Sequence, residues 1–145
     1  MSVHRRPLGR GRRLAALAAV VIVVGCLLPW WQFGGGDGLP ARTGNAFEAS
    51  GILVVFAALA TIALFTLPYA TERPVSIDRA LSYAALTILA WIGLGLRIVD
   101  LVTSGATSAG AIGPPDRSPG LWIVAIGLII LSRATYEIAG ERVTR

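Results

Sequence analysis

Four long apolar segments occupy about half of this 145-residue chain. They cover residues 14–31, 49–70, 80–96 and 118–132, and none of them contains a charged residue. A helix needs about 20 residues to cross the ~30 Å hydrocarbon core of a bilayer. Four such helices leave about 65 residues for tails and loops, which is too few for a second folded domain. The sequence therefore predicts one all-α domain over residues 1–145, a membrane-embedded four-helix transmembrane bundle.

Prolines and short polar residues mark the ends of these segments, and the predicted spans cover residues 14–31, 49–69, 79–102 and 119–139. The first span is expected to end near Pro29, before a glycine-rich loop. Asn45 or Ser50 is expected to cap the second span by accepting hydrogen bonds from free backbone N–H groups. Pro68 is expected to end that span, because proline cannot continue a helix without losing a hydrogen bond.

The third and fourth spans need residues beyond their uncharged parts. Ser76 or Asp78 is expected to cap the third span, and Pro119 fits the first turn of the fourth, where proline is tolerated. The uncharged part of the fourth would form only about 22 Å of helix, which is too short for a ~30 Å bilayer core. We therefore expect this helix to continue through Arg133 and Glu137.

The distribution of arginine predicts the orientation. All 13 basic residues are arginine, and the net charge is +5. Ten lie before the first span, between the second and third spans, or at the end of the chain, whereas Arg42, Arg97 and Arg117 lie on the other side. Since basic residues are retained on the cytoplasmic side during insertion, both termini are predicted to be cytoplasmic. The basic tail, residues 1–13, is expected to contact anionic lipid and not nucleic acid.

Aromatic residues concentrate near the predicted boundaries, where a ring can be buried while its polar atom stays hydrated. Those at the outer boundary are Trp30, Trp31, Phe33 and Trp122, and those at the inner boundary are Tyr69, Tyr83 and Tyr136. Trp91 is the exception, because it lies near the middle of the third span, and we expect it to pack against the bundle or to face lipid.

Small residues are expected at the helix contacts, because lipid provides no hydrophobic drive for association. The candidates are Ala15 with Ala19, Ala80 with Ala84, and Gly93 and Gly95.

Two pairs of opposite charges lie close to the membrane boundaries and are the candidate site residues. Arg97 and Asp100 are three residues apart, and Arg133 and Glu137 are four apart, so each pair shares a helix face. We expect both pairs at the headgroup level, where arginine stays hydrated. The alternative is that Arg97 points into the bundle and binds an anionic group or a carboxylate, with Glu48 as a possible partner.

No catalytic, cofactor-binding or metal-binding motif is present in the sequence, so we predict that the chain is not an enzyme and needs no cofactor. A single cysteine, Cys26, excludes an intramolecular disulfide, and a single histidine, His4, excludes a histidine-based metal site. Residues 23–26 have the form of a bacterial lipobox, and cleavage there would remove the first span. Residues 27–31 continue the apolar run, so we favour a buried thiol.

Several boundary motifs occur in a characteristic order. Leu28-Pro29-Trp30-Trp31 precedes a glycine-rich loop, Asn45-Ala46-Phe47 precedes the second span, and Gly120-Leu121-Trp122 opens the fourth. In this order the chain resembles small four-span integral membrane proteins of actinobacteria, which have no established activity. The resemblance implies a bacterial inner membrane and implies no site residues.

These observations lead to two functional expectations. The first is a non-enzymatic structural or accessory subunit of a membrane complex, bound to a membrane-protein partner or to a second copy of itself. The alternative is a small oligomeric transporter or channel component. A polar stripe inside the bundle would favour transport, whereas an apolar interior with an exposed patch on the outer loops would favour the accessory role.

Overall fold

Long helices make up most of the computed structural model, which describes residues 9–35, 38, 40–70, 78–103 and 115–143. In these ranges the helices are α1 (Arg10–Leu27), α2 (Ile52–Ala70), α3 (Arg79–Thr103) and α4 (Pro119–Val143). Two short strands, β1 (Trp31–Phe33) and β2 (Arg42–Gly44), and a 3-10 helix (Ala49–Gly51) connect α1 to α2. The strands are antiparallel, and Trp31 pairs with Gly44.

Three of the described helices are long and apolar enough to cross a membrane, which indicates a multi-pass membrane protein. They are Ala49–Ala70, Arg79–Thr103 and Pro119–Glu141. Because the 3-10 helix runs directly into α2, the first of these segments includes both.

The first helix is not one of these three, because α1 has 18 residues and begins with a turn that contains Arg10, Arg12 and Arg13. It also ends at Leu27, so the predicted extent of 14–31 is wrong. Leu28 is extended, with φ −85° and ψ 159°, because a following proline disfavours the helical conformation. The uncharged part of α1 is therefore only about 21 Å long.

The four helices form a ring in which each contacts its neighbours along the chain, and α1 also contacts α4. The α1–α4 pair is the most extensive contact between elements. Gly11 approaches Ile138, and Gly25 approaches Val124, so these two helices are antiparallel along nearly their whole length. We call the end with β1 and β2 the hairpin end, and the other the opposite end.

The observed starts of α3 and α4 agree with those predicted from a capping residue and from a first-turn proline. In α3, the Asp78 carboxylate accepts a hydrogen bond from Leu81 N at 3.1 Å, as expected of a cap. Pro119 is the first residue of α4, and this helix continues past Arg133 and Glu137 to Val143, as predicted. The other predicted cap, Ser76, lies outside the described residues.

The predicted extent of the second span, 49–69, agrees with the candidate span Ala49–Ala70 to within one residue, whereas its predicted caps and its predicted end at Pro68 are wrong. Neither proposed cap binds the start of α2, because Asn45 Oδ1 accepts from Phe47 N in a preceding turn and the buried Ser50 Oγ has no partner among the described residues. The 3-10 helix replaces the cap, since it leads the backbone directly into α2. At the other end, α2 includes Pro68 and continues to Ala70.

The predicted small-residue contacts are found in part. Ala15 and Ala19 are fully buried, and Gly93 packs against Leu53 and Val54 of α2. In contrast, nothing lies within 4 Å of a Cβ built at Gly95. Ala80 and Ala84 are half-buried.

Two side-chain hydrogen bonds, one part-buried and one exposed, join α3 to α4. The hydroxyl groups of Thr87 and Thr135 are 2.9 Å apart, and Trp91 Nε1 donates to Ser132 Oγ at 3.0 Å. The Trp91 ring is 41% exposed. Trp91 therefore both packs on α4 and faces outward.

Candidate functional site

The connection between α1 and α2 is held against the hairpin end by backbone hydrogen bonds. Trp30 N donates to the carbonyl oxygen of Gly44 at 2.7 Å, which extends the pairing of β1 with β2. Gly120 N, at the start of α4, donates to the carbonyl oxygen of Pro29 at 2.9 Å. The second bond joins two backbone groups that have no partner within a helix. Pro29 follows the end of α1, and Gly120 lies in the first turn of α4, where N–H groups lack an intrahelical acceptor.

Trp30 fills the space beneath this connection, and its indole N–H is buried in the protein and not hydrated as expected. Its side chain is completely buried, and its Nε1 donates to the carbonyl oxygen of Gly25 at 3.0 Å. Gly25 lies in the last turn of α1, where carbonyl groups lack an intrahelical donor. Because α1 ends at Leu27, the chain turns back and brings the indole under the loop.

Arg97 lies at the hairpin end, and its side chain is only 8% exposed. Its Nη2 is 3.0 Å from Glu48 Oε2, and its Nη1 is 3.8 Å from Asp100 Oδ2. Arg97 therefore points into the bundle and pairs with Glu48, which is the alternative to a hydrated Arg97 at the headgroup level. The two carboxylates are about half exposed, so the buried cation lies beneath two hydrated anions.

The close approach of α3 to α2 positions Arg97. A Cβ built at Gly93 would lie 2.8 Å from Leu53 Cβ, so only glycine permits this distance between the helices. Arg97 follows Gly93 by four residues and lies on the same face of α3. It therefore reaches Glu48, which precedes α2.

Trp31 completes the cluster, because its Nε1 donates to Glu48 Oε2 at 3.1 Å. The same carboxylate oxygen thus accepts from both Trp31 and Arg97. A Cβ built at Gly44 would overlap Trp31 Nε1 and Glu48 Oε2, so a glycine is required where β2 passes this bond. We call Trp31, Gly44, Glu48, Arg97 and Asp100 the arginine cluster.

A small polar cleft of about 150 Å³ adjoins the arginine cluster. Its lining includes Thr43, Gly44, Asn45 and Glu48. The described residues contain no group of three or more His, Cys, Asp or Glu side chains that could hold a metal ion. The chemistry that these contacts do provide is charge-assisted hydrogen bonding, which fixes the hairpin and α2 to α3.

The second predicted pair forms on the exposed surface of α4. Arg133 Nε is 3.3 Å from Glu137 Oε1, with the arginine side chain 72% exposed. This is an i,i+4 pair within α4 in which the arginine is hydrated and the Glu137 side chain is 20% exposed. The basic tail was the other charged candidate. Its residues 1–8 lie outside the described part of the chain.

Sequence reasoning missed two members of the arginine cluster. The sequence predicts only a boundary position for Trp31 and no role for Gly44. The signal that could have found them is the short spacing between Trp31, Gly44 and Glu48 around a glycine-rich turn.

Comparison of the chain with protein families, with curated proteins and with solved structures found no match.

Proposed function

We propose that this chain is a four-span protein of a bacterial inner membrane, with both termini in the cytoplasm. We further propose that it acts without catalysis, as a structural or accessory subunit of a membrane complex. The observation that carries the second proposal is an apolar bundle interior combined with exposed aromatic residues on an ordered hairpin end.

The outward face of α1 supports the fourth span. It is formed by Leu17, Val20, Val24 and Leu27, each about half exposed or more. A helix that faces water normally has a polar outer face, whereas this stripe is entirely apolar. Because α1 lies antiparallel along α4, its uncharged part reaches the same depth as the apolar part of α4. The arginines of its first turn can extend to the headgroups.

The described arginines support the orientation. Arg42, Arg97 and Arg117 belong to the hairpin end, whereas Arg10, Arg12, Arg13 and Arg79 belong to the opposite end. Basic residues are retained on the cytoplasmic side during insertion, so this distribution favours a cytoplasmic position for the opposite end of the bundle. With four spans, both termini lie on that side.

We expect site-directed cysteine labelling to give this topology. In a chain whose Cys26 is replaced by Ala, a membrane-impermeant thiol reagent should modify Ala41→Cys in intact cells and Gly140→Cys only after the membrane is opened. Ala41 is exposed beside β2, and a Cβ at Gly140 meets nothing within 4 Å, so neither change disturbs packing. If the reagent modifies both positions in intact cells, α2, α3 and α4 do not all cross the membrane and the proposed topology is wrong.

The mass of the intact chain tests whether α1 is retained. We expect the mature protein to retain residues 2–25, because Cys26 is buried in a helix that packs along α4. Intact mass spectrometry of the membrane-extracted protein measures this directly. A lipidated chain beginning at Cys26 would contradict the four-span proposal and leave α4 without its main neighbour.

The interior of the bundle favours the accessory role over transport. The buried residues shared by the helices are mostly alanine, leucine, valine and isoleucine. The two buried threonines, Thr61 and Thr87, donate to the carbonyl oxygens of Ala57 and Tyr83 in their own helices, and Thr87 has one further partner, the Thr135 hydroxyl of α4. Side-chain groups bonded in this way do not form a polar path through the described core.

The hairpin end provides exposed residues for a partner. Phe33 and Phe47 are 48% and 49% exposed, and they flank the arginine cluster along the chain. Aromatic residues are enriched where protein partners bind, because they bury a large area with little loss of side-chain freedom. We propose that a membrane-protein partner contacts this end.

Co-purification in a mild detergent should test the proposed partner. We expect a stoichiometric partner with the native chain, and its loss from the Phe33→Ala and Phe47→Ala variants. Phe56→Ala is the matched control, since Phe56 is 61% exposed but lies within α2. A chain that purifies alone and catalyses solute flux in liposomes would contradict the accessory role and favour the oligomeric transporter.

A further inference from the structure

A groove between α2 and α3 opens on the opposite side of the bundle from the arginine cluster. The two helices touch near the hairpin end, where Gly93 packs on Val54, and they diverge toward the opposite end. The groove lies between the C-terminal half of α2, from Ala60 to Leu67, and the N-terminal part of α3, from Ser82 to Leu86. Its volume is about 420 Å³.

The lining of this groove accepts only an apolar occupant. It consists of alanine and leucine side chains with one serine, Ser82. The Ser82 hydroxyl donates to the carbonyl oxygen of Asp78 at 2.9 Å, so it has no proton to offer an occupant. Because the groove lies between two candidate spans, hydrocarbon is the material available to fill it.

The size of the groove fits one hydrocarbon chain better than a helix. The first and last lining residues of α2, Ala60 and Leu67, are seven residues apart, which corresponds to about 10 Å along the helix axis. A helix about 10 Å across would occupy roughly 800 Å³ over that length, which is about twice the volume of the groove. A single acyl chain is narrower and can bend into the divergence between α2 and α3.

A cation, Arg79, lies at the end of α3 that is nearer to the groove. Arg79 is exposed and is the first residue of α3, three residues before Ser82 and seven before Leu86. This spacing puts Arg79 on the groove face of α3, and helical side chains lean toward the N-terminus, which here is the membrane surface. The neighbouring Asp78 carboxylate accepts from Leu81 N, so it is engaged with the start of the helix.

We propose that the groove between α2 and α3 holds an acyl chain of an anionic phospholipid whose phosphate group is bound by Arg79. The planar guanidinium group matches the geometry of a phosphate group. Basic sites at the cytoplasmic ends of membrane helices bind such headgroups in general. The proposal requires a membrane-embedded chain but does not require the accessory role, and its test uses the purified chain alone.

Native mass spectrometry of the full chain, with equal amounts of phosphatidylglycerol and phosphatidylethanolamine of the same acyl composition, tests the proposal. We expect one retained phosphatidylglycerol and little phosphatidylethanolamine. Arg79→Gln should lower the preference for phosphatidylglycerol about fivefold, as expected for the loss of one cation near a membrane surface. Arg10→Gln is the control, because Arg10 is also exposed at the opposite end but lies on α1.

Filling the groove tests the site of the acyl chain. Ala63→Trp and Ala85→Trp place a large side chain in the groove from its two walls, and both positions are exposed, so the core is not disturbed. Each should abolish lipid retention, whereas Leu59→Trp, at an exposed position of α2 outside the lining, should not.

Three results would overturn the proposal. They are equal retention of the two lipids, an unchanged preference in Arg79→Gln, and unchanged retention in folded tryptophan variants. Conversion of a dimer to a monomer by Ala63→Trp, without loss of lipid, would show that a second copy occupies the groove. Arg79→Gln decides the question even if a tryptophan variant fails to fold, because an exposed position at a helix start tolerates substitution.

Discussion

Arg97→Gln is expected to lower the free energy of unfolding by about 3 kcal/mol. Removing one partner of a buried ion pair costs about 3–5 kcal/mol, because the other partner keeps its desolvation penalty. We expect the lower end of that range, since Glu48 is 48% exposed and still accepts from Trp31 Nε1. Unfolding of the purified protein by SDS in one detergent, or by heat, measures the difference.

Arg133→Gln is the matched control for this prediction. It also removes one arginine from a helical ion pair, but the Arg133 side chain is 72% exposed. The Arg133 side of the pair is hydrated whereas Glu137 is 20% exposed, so we expect this variant to lose about 1 kcal/mol, less than Arg97→Gln. If the two variants lose equal stability, Arg97 is hydrated in the membrane and the buried arrangement is wrong.

A double-mutant cycle separates the Arg97–Glu48 contact from the loss of arginine packing. Glu48→Gln retains a carbonyl oxygen that can accept from Trp31 Nε1, but it removes the charge that faces Arg97. Residues in one hydrogen-bonded network couple by about 0.5–3 kcal/mol, and we expect more than about 1 kcal/mol for this pair. The same cycle on Arg133 and Glu137 should give a coupling close to that of exposed helical pairs, about 0.3–0.5 kcal/mol.

The parts of the fold that local signals determine could be predicted from the sequence. Asp78 caps α3 and Pro119 starts α4 because each acts on its own first turn. The continuation of α4 through Arg133 followed from helix length alone, since residues 118–132 are too few to cross a bilayer. Hydrophobicity also predicted three helices that are long and apolar enough to span.

The first helix shows where hydrophobicity alone was insufficient. The apolar run continues to Trp31, but the backbone leaves the helix at Leu28 because Pro29 disfavours helical geometry before it. The two tryptophans then have different environments. Trp30 is buried beneath the loop, and Trp31 donates to Glu48. A pattern of apolar residues cannot distinguish these positions, because both depend on how the hairpin folds back.

The arginine cluster depends on contacts between residues far apart in the sequence. Arg97 and Glu48 are 49 residues apart, and they meet because Gly93 allows α3 to approach α2. The sequence was compatible with a hydrated Arg97 and with a buried one, and it identified Glu48 as a possible partner. Deciding between them required the packing distance of two helices, which no local pattern encodes.

The second large effect is expected from a single methyl group at Gly120. A Cβ there would lie 2.5 Å from the carbonyl oxygen of Leu28 and 2.6 Å from that of Gly25. Both atoms belong to the backbone and cannot move aside as a flexible side chain would. Overpacking of a closely packed site costs about 1–3 kcal/mol. We expect Gly120→Ala to be near the upper end, because it also disturbs the hydrogen bond from Gly120 N to Pro29 O.

Gly95→Ala is the matched control, because a Cβ at Gly95 meets nothing within 4 Å. Alanine is favoured over glycine in a helix by about 0.5–1 kcal/mol, so this variant should be slightly more stable than the native chain. The two variants should change the free energy of unfolding in opposite directions, although the same chemical change is made in two candidate spans. If Gly120→Ala unfolds like the native chain, α4 does not approach the end of α1 closely. The argument for α1 as a fourth span, which depends on that packing, would then fail as well.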